Sequence, residues 1–246
     1  MKKVLLATVA LAALGGATSA ASAADLAPRY TKAPPPPIVA VYDWTGFYIG
    51  ANGGYATSRK SWDYLGPLAP GPEGSHDADG GVVGGQIGYN WQSASWVFGL
   101  EAQGDWADLT GSNVSTRFPT ITNRSKVEAL GLFTGRVGYA WNNTLLYVKG
   151  GAAVASDKYS YGPTLTGVTT ASASETRWGS TVGAGLEFGF TPNWSFGVEY
   201  NHLFLGRRDI AFTPGPAPVV DSIRQDVDMV TARINYRWGG PVVAKY

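Results

Sequence analysis

The feature that most constrains this chain is a period-two alternation that recurs eight times between residues 45 and 238, with polar or small side chains on one parity, ionised in six of the eight, and large apolar ones on the other. A strand points successive side chains to opposite faces, so each segment reads as a ribbon with one greasy and one polar side. The alternation predicts strands over residues 45–55, 81–91, 96–106, 127–141, 145–154, 176–190, 194–204 and 227–238. The third is the clearest: Trp96, Phe98, Leu100, Ala102 and Trp106 oppose Glu101, Gln103 and Asp105. The fourth is imperfect, because Leu130 and Leu132 fall on the polar side.

The intervening segments alternate in length. Residues 92–95, 142–144 and 191–193 read as tight turns, whereas 56–80, 109–126, 155–175 and 205–226 read as four long polar loops. Short turns at one rim and long loops at the other are the layout of a bacterial outer-membrane barrel, as is an even strand count. The expected fold is therefore all-β: an eight-stranded antiparallel transmembrane up-and-down β-barrel with short periplasmic turns and four long extracellular loops.

Aromatic placement decides which face meets lipid. Phe47, Tyr89, Trp91, Trp96, Phe98, Tyr139, Trp141, Phe188, Phe190, Trp194, Phe196, Tyr236 and Trp238 cluster beside the short turns and the strand ends that share their rim. Rings held at one depth make an interfacial girdle, which a soluble core would not need. The opposite parity then carries Glu101, Asp105, Arg136, Lys149, Arg177, Glu187, Glu199, Arg233 and Arg237 into the lumen. An eight-stranded lumen is only wide enough to be filled by side chains. Four carboxylates and five cations are thus expected to pair there and plug it, since unpaired buried charge is costly. Gly84, Gly88, Gly99, Gly183 and Gly185 share that parity and are expected to leave room for long Arg and Glu neighbours.

The amino terminus reads as an export signal. Lys2 and Lys3 precede an apolar run and a small-residue exit ending Ala21-Ser22-Ala23, which predicts cleavage between Ala23 and Ala24. Residues 24–44 read as a periplasmic linker containing four consecutive prolines, residues 45–238 as the barrel, and residues 239–246 as a short tail. The chain has 19 Lys+Arg and 18 Asp+Glu, and removing Lys2 and Lys3 leaves 17 against 18, a balance that gives nucleic acid no electrostatic footing. There is no cysteine, so disulfides cannot compensate for a thin core.

A search for chemistry yields little. His202 lies in a strand beside Tyr200, but Phe204 stands where a barrel-type lipid A deacylase would place its serine. His76 beside Asp77 and Asp79 falls short of the three or four converging ligands of a stable metal site. Glu101, Asp105, Glu187 and Glu199 invite an acid–base reading, but opposing arginines favour structural pairing. No catalytic residue, metal or cofactor is expected.

At Asp43-Trp44-Thr45-Gly46-Phe47-Tyr48-Ile49-Gly50 a specific resemblance emerges. Together with Ala24-Asp25-Leu26, the proline run, Arg136-Val137-Gly138-Tyr139-Ala140-Trp141, and Val230 to Trp238 followed by Gly239-Gly240-Pro241, the chain resembles the small outer-membrane immunogenic protein family of alphaproteobacteria. The resemblance implies an abundant envelope barrel with surface-exposed loops and a contribution to envelope integrity. Expected partners are outer-membrane lipid and lipopolysaccharide, the barrel-assembly machinery, which would read Trp238, and peptidoglycan or host molecules. Some relatives are described as porins and some as haem binders, so a small-solute porin is the first alternative. A barrel enzyme acting on lipid A or peptide, or a haem binder, is the second; for haem, His76 and His202 make no ligand pair.

Overall fold

The computed structural model describes residues 42–65, 70–212 and 219–238. The expected signal peptide with its Ala23/Ala24 junction, the proline run and the 239–246 tail lie outside the described residues. Eight antiparallel strands close into one barrel in sequence order. They are β1 Gly46–Tyr64, β2 Gly71–Ser93, β3 Trp96–Val114, β4 Ile121–Trp141, β5 Thr144–Pro163, β6 Ala171–Gly189, β7 Trp194–Phe212 and β8 Val219–Trp238.

The register sets the barrel's dimensions. Following paired residues round the wall from Ile49 through Ile87, Ala102, Phe133, Ala152, Ser180, Phe204 and Asp226 returns to β1 at Arg59, ten residues further on. That stagger over eight strands corresponds to a tilt of about 40° and a backbone radius of about 8 Å. Strands of 19 to 23 residues then stand roughly 48–58 Å tall, about twice the ~25 Å apolar band of such barrels.

This height corrects the expected loops. Residues 56–80, 109–126, 155–175 and 205–226 are mostly strand, because each ribbon continues past the alternating region before it turns. On the outer wall the large apolar side chains stop, apart from Val114 at the rim, at Tyr55, Val83, Trp106, Val154, Trp178, Phe204 and Val230. Beyond them the outward positions hold Thr57, Arg59, Asp77, Asp79, Asp108, Lys126, Lys158 and Asp226. In water a strand has no reason to keep its outer face apolar, so alternation vanishes while the hydrogen-bond ladder persists. The expected strands trace the lipid-embedded half.

All thirteen girdle aromatics lie on the outer wall near the short turns. Several touch ring to ring: Phe47 with Tyr89, Trp96 with Tyr139, and Trp194 with Tyr236, at centroid separations of 4.6, 5.5 and 5.1 Å. The first two short turns open on Ala94 and Asn142, both at positive φ (52° and 53°). Asn tolerates that conformation and Ala is strained by it.

The interior is layered. Inside a small apolar cap at the short-turn mouth, which includes Val97, Ala140 and Leu145, is a layer of charged and amide side chains, and above it lies an apolar belt that includes Leu109, Leu130, Leu132, Leu203, Val227 and Met229. Leu130 and Leu132 are therefore core residues, not flaws in the pattern. The middle of a closed barrel excludes water as a soluble core does. A third layer holds Lys60, Asp157 and Arg177, topped by Trp62, Tyr159, Ile210 and Ile223.

Candidate functional site

The lower lumen is built from alternate residues of every strand. Lys149 Nζ sits 2.9 Å from Glu101 Oε1 and 2.7 Å from Glu199 Oε1. Arg233 donates to both of those carboxylates from the other side. Arg136 Nη1 lies 3.8 Å from Glu101 and 3.6 Å from Glu187, and its Nε and Nη2 donate to Asn90 Oδ1 at 2.9 and 2.7 Å. Its guanidinium packs over the rings of Tyr48 and Tyr147, 4.6 and 5.1 Å from their centroids. Three carboxylates therefore meet three cations, all buried, and their mutual attraction offsets removal from water.

The remaining lumen charges do not join this cluster, which corrects the picture of one shared network. Asp105 is buried but takes its hydrogen bond from Gln103, at 2.9 Å. Arg177 belongs to the third layer, donating to the Ile223 carbonyl at 2.9 Å with its Nε 3.8 Å from Asp157. Lys60 Nζ completes that layer, 2.9 Å from Asp157 and over the Tyr159 ring. Both Lys60 and Asp157 escape sequence reading because they lie past the alternating region. Arg237 faces the opposite mouth, stacked 4.7 Å from the Tyr42 ring and 5.2 Å from the Trp44 ring. Residues 42–44, expected as linker, instead close that mouth: Trp44 is fully buried against Val97, Ala140, Leu145 and Tyr147, and its backbone N–H donates to Gln92 Oε1 at 2.7 Å.

Two of the lumen glycines are filled by tyrosines, not by arginine or glutamate. Tyr48 lies over its cross-strand partner Gly88, and Tyr147 lies over Gly185. Each hydroxyl continues to the next strand, where Tyr48 donates to Glu101 at 2.7 Å and Tyr147 to Glu199 at 2.6 Å.

Such a barrel is ionised inside, apolar outside over half its height and ringed by aromatics, the inverse of a soluble protein. A family model described as the outer membrane protein beta-barrel domain matches residues 9–237. The chain belongs to that family. It is 35% identical over 221 residues to a 31 kDa outer-membrane immunogenic protein of Brucella melitensis, covering 85% of this chain and 90% of the relative. It is 30% identical over 188 residues to a 22 kDa outer membrane protein of Rhizobium leguminosarum bv. viciae, covering 73% and 72%. Among solved structures, the Pseudomonas aeruginosa outer membrane protein OprG aligns with a TM-score of 0.46 at 11% identity, covering 80% of this chain and all of that one. The outer-membrane barrel family thus sets the protein in the cell outer membrane, with the similarity to an outer-membrane immunogenic protein carried by the Brucella relative.

Both histidines already have partners. His202 Nδ1 is 2.7 Å from Asp228 on the outer wall. His76, expected in a loop, lies within β2, its Nδ1 2.8 Å from Asn113 Oδ1 and its Nε2 2.6 Å from Ser125 Oγ. Serine, histidine and amide stand in the order of a nucleophile, base and orienting group. The surrounding backbone N–H groups are engaged in the β3–β4 and β4–β5 ladders. Burial pushes the His76 imidazole below its usual pKa, with the Asn113 bond opposing the shift, so the ring is neutral at pH 7. Among the described residues no three His, Cys, Asp or Glu side chains gather as metal ligands.

Proposed function

We propose that this barrel is a structural and surface-interaction component of the outer membrane whose lumen is closed. One observation carries the reading. Lys149 and Arg233 are locked between Glu101 and Glu199 in the lower lumen, and the apolar belt lies directly above them. Water and solutes would have to break several buried ion pairs and then cross a layer containing Leu132 and Leu203. In a planar bilayer the purified protein is expected to show no steady current at the nanosiemens scale; a stable open channel would establish the porin alternative instead.

Lipopolysaccharide is the proposed lateral partner. A concavity of about 630 Å³ lies on the wall above the apolar band, with Arg124, Lys126 and Lys158 among serine and threonine hydroxyls. Cations at that height suit lipid phosphates, and loss of the gene is expected to sensitise cells to detergent. Among the described residues, the Ser125–His76–Asn113 contact is the arrangement that favours an enzyme acting on lipid A or peptide. Unchanged lipid A mass spectra in a deletion strain are expected. Haem binding finds little support, since each imidazole is already hydrogen-bonded to a side chain.

A further inference from the structure

The extracellular mouth ends in a small cup above the Trp62–Tyr159–Ile223 floor. It encloses about 170 Å³ and is lined by Tyr64, Glu73, Phe118, Asn123, Tyr161 and Asp221, together with Ile121. Glu73 and Asp221 are both buried, 5% and 3% exposed. Glu73 Oε2 accepts from Asn123 Nδ2 at 3.0 Å. Asp221 Oδ1 has no hydrogen-bond partner among the described residues, although it lines an open cavity. A buried acceptor in that state is costly unless something supplies a proton or a donor.

The chain itself offers little to meet that need. Among the described residues that line the cup there is no Lys, Arg or His, and Arg117, in the connection from β3 to β4, is the cation beside it. Its guanidinium stands over the Tyr64 and Phe118 rings, 5.6 and 5.7 Å from their centroids, and acts electrostatically on Glu73. With both carboxyls ionised, two negative charges face one resident positive charge, which leaves the cup one cation short.

The geometry points to a binding site for one primary alkylammonium group, held by Asp221 and Glu73 and walled by Tyr64, Phe118 and Tyr161. An –NH3+ group brings three donors, one of which matches the unpartnered Asp221 oxygen. Aromatic faces attract an organic cation through the ring quadrupole. A hard metal ion would instead want six or more oxygens, and only two carboxylates and one amide are present. The volume suits an amine with a short alkyl stem, such as a lysine side chain or a small diamine. Burial, aided by Glu73, also raises the Asp221 carboxyl to about 7, consistent with a group lacking its counter-charge. The inference goes beyond the closed-lumen reading and does not depend on it, because the cup lies above the belt and binding is read without current.

The test uses the full-length protein in detergent micelles, titrated calorimetrically with n-butylammonium chloride at pH 8. One saturable site is expected below about 10 mM, weakened at least about tenfold in Asp221→Asn and in Glu73→Gln. Asp79→Asn, on the outer wall, is expected to bind as the wild type does. Folding of each variant is checked by its heat-modifiable gel mobility, and either carboxyl variant suffices if the other misfolds. Absence of saturation, equal heats from 1-butanol, or undiminished binding in both carboxyl variants would overturn the site. Displacement by an equal concentration of MgCl2 would also overturn it, in favour of a metal site.

Discussion

The Tyr48 hydroxyl reaches Glu101, 2.7 Å away and two strands along the wall, by lying over Gly88 on the strand between them. Tyr147, Gly185 and Glu199 repeat the arrangement on β5, β6 and β7. The two glutamates so oriented are those that clasp Lys149 and Arg233. The glycines thus act as slots that let aromatic rings lie flat and aim their hydroxyls at the buried cluster.

Filling a slot should loosen the cluster. A Cβ at Gly88 would collide with the Tyr48 ring and the Leu100 carbonyl. Gly88→Ala is expected to destabilise the folded barrel by about 1–3 kcal/mol through overpacking and the displaced hydroxyl. Gly104→Ala, where an added methyl meets nothing within 4 Å, serves as the control and should be close to neutral. Urea unfolding followed by tryptophan fluorescence distinguishes the two.

Removing one charge from the cluster should cost more than removing a slot. Lys149→Ala leaves Glu101 and Glu199 facing Arg233 alone in a buried site. A loss of about 3–5 kcal/mol is expected, as for breaking other buried pairs. Glu187→Ala, whose carboxylate also accepts from Asn235 at 2.9 Å, is expected to act in the same direction. A midpoint of unfolding unchanged in both variants would contradict the cluster's role.

The outer wall has a sharp boundary that arginine scanning can locate. Leu186 is exposed on the wall within the apolar band, whereas Ser174 on the same strand is outward above it. Leu186→Arg is expected to cost about 2–4 kcal/mol and to block insertion into vesicles, and Ser174→Arg to insert normally. Equal insertion of both variants would mean the wall is not lipid-facing where its side chains turn apolar.

Stability should fall with pH at the extracellular rim. The Asp221 carboxyl is raised to about 7 in the folded state, by burial first and Glu73 second, against about 4 when unfolded. Between those values the folded chain holds more protons on this group than the unfolded one, so its contribution to stability is greatest below pH 4 and declines as pH rises toward 7. Asp221→Asn removes this contribution. Its unfolding midpoint is expected to exceed that of the wild type at pH 8 and to converge with it near pH 4.

Alternation identified the membrane-embedded half of every strand, and the aromatics beside the short turns identified its face toward lipid. A residue between hydrocarbon and a filled lumen has only two environments, and they alternate along the chain. Above the lipid that contrast is lost. Arg59 and Lys60, adjacent in sequence, look alike, yet one is on the wall and the other is buried on Asp157. Only closure of the barrel decided which charges meet, placing Arg177 and Arg237 in separate layers from Arg136 and bringing β3, β5 and β7 together through Lys149. Those contacts depend on the ten-residue stagger, which no local pattern encodes, because register is a relation between strands and not a property of any one of them.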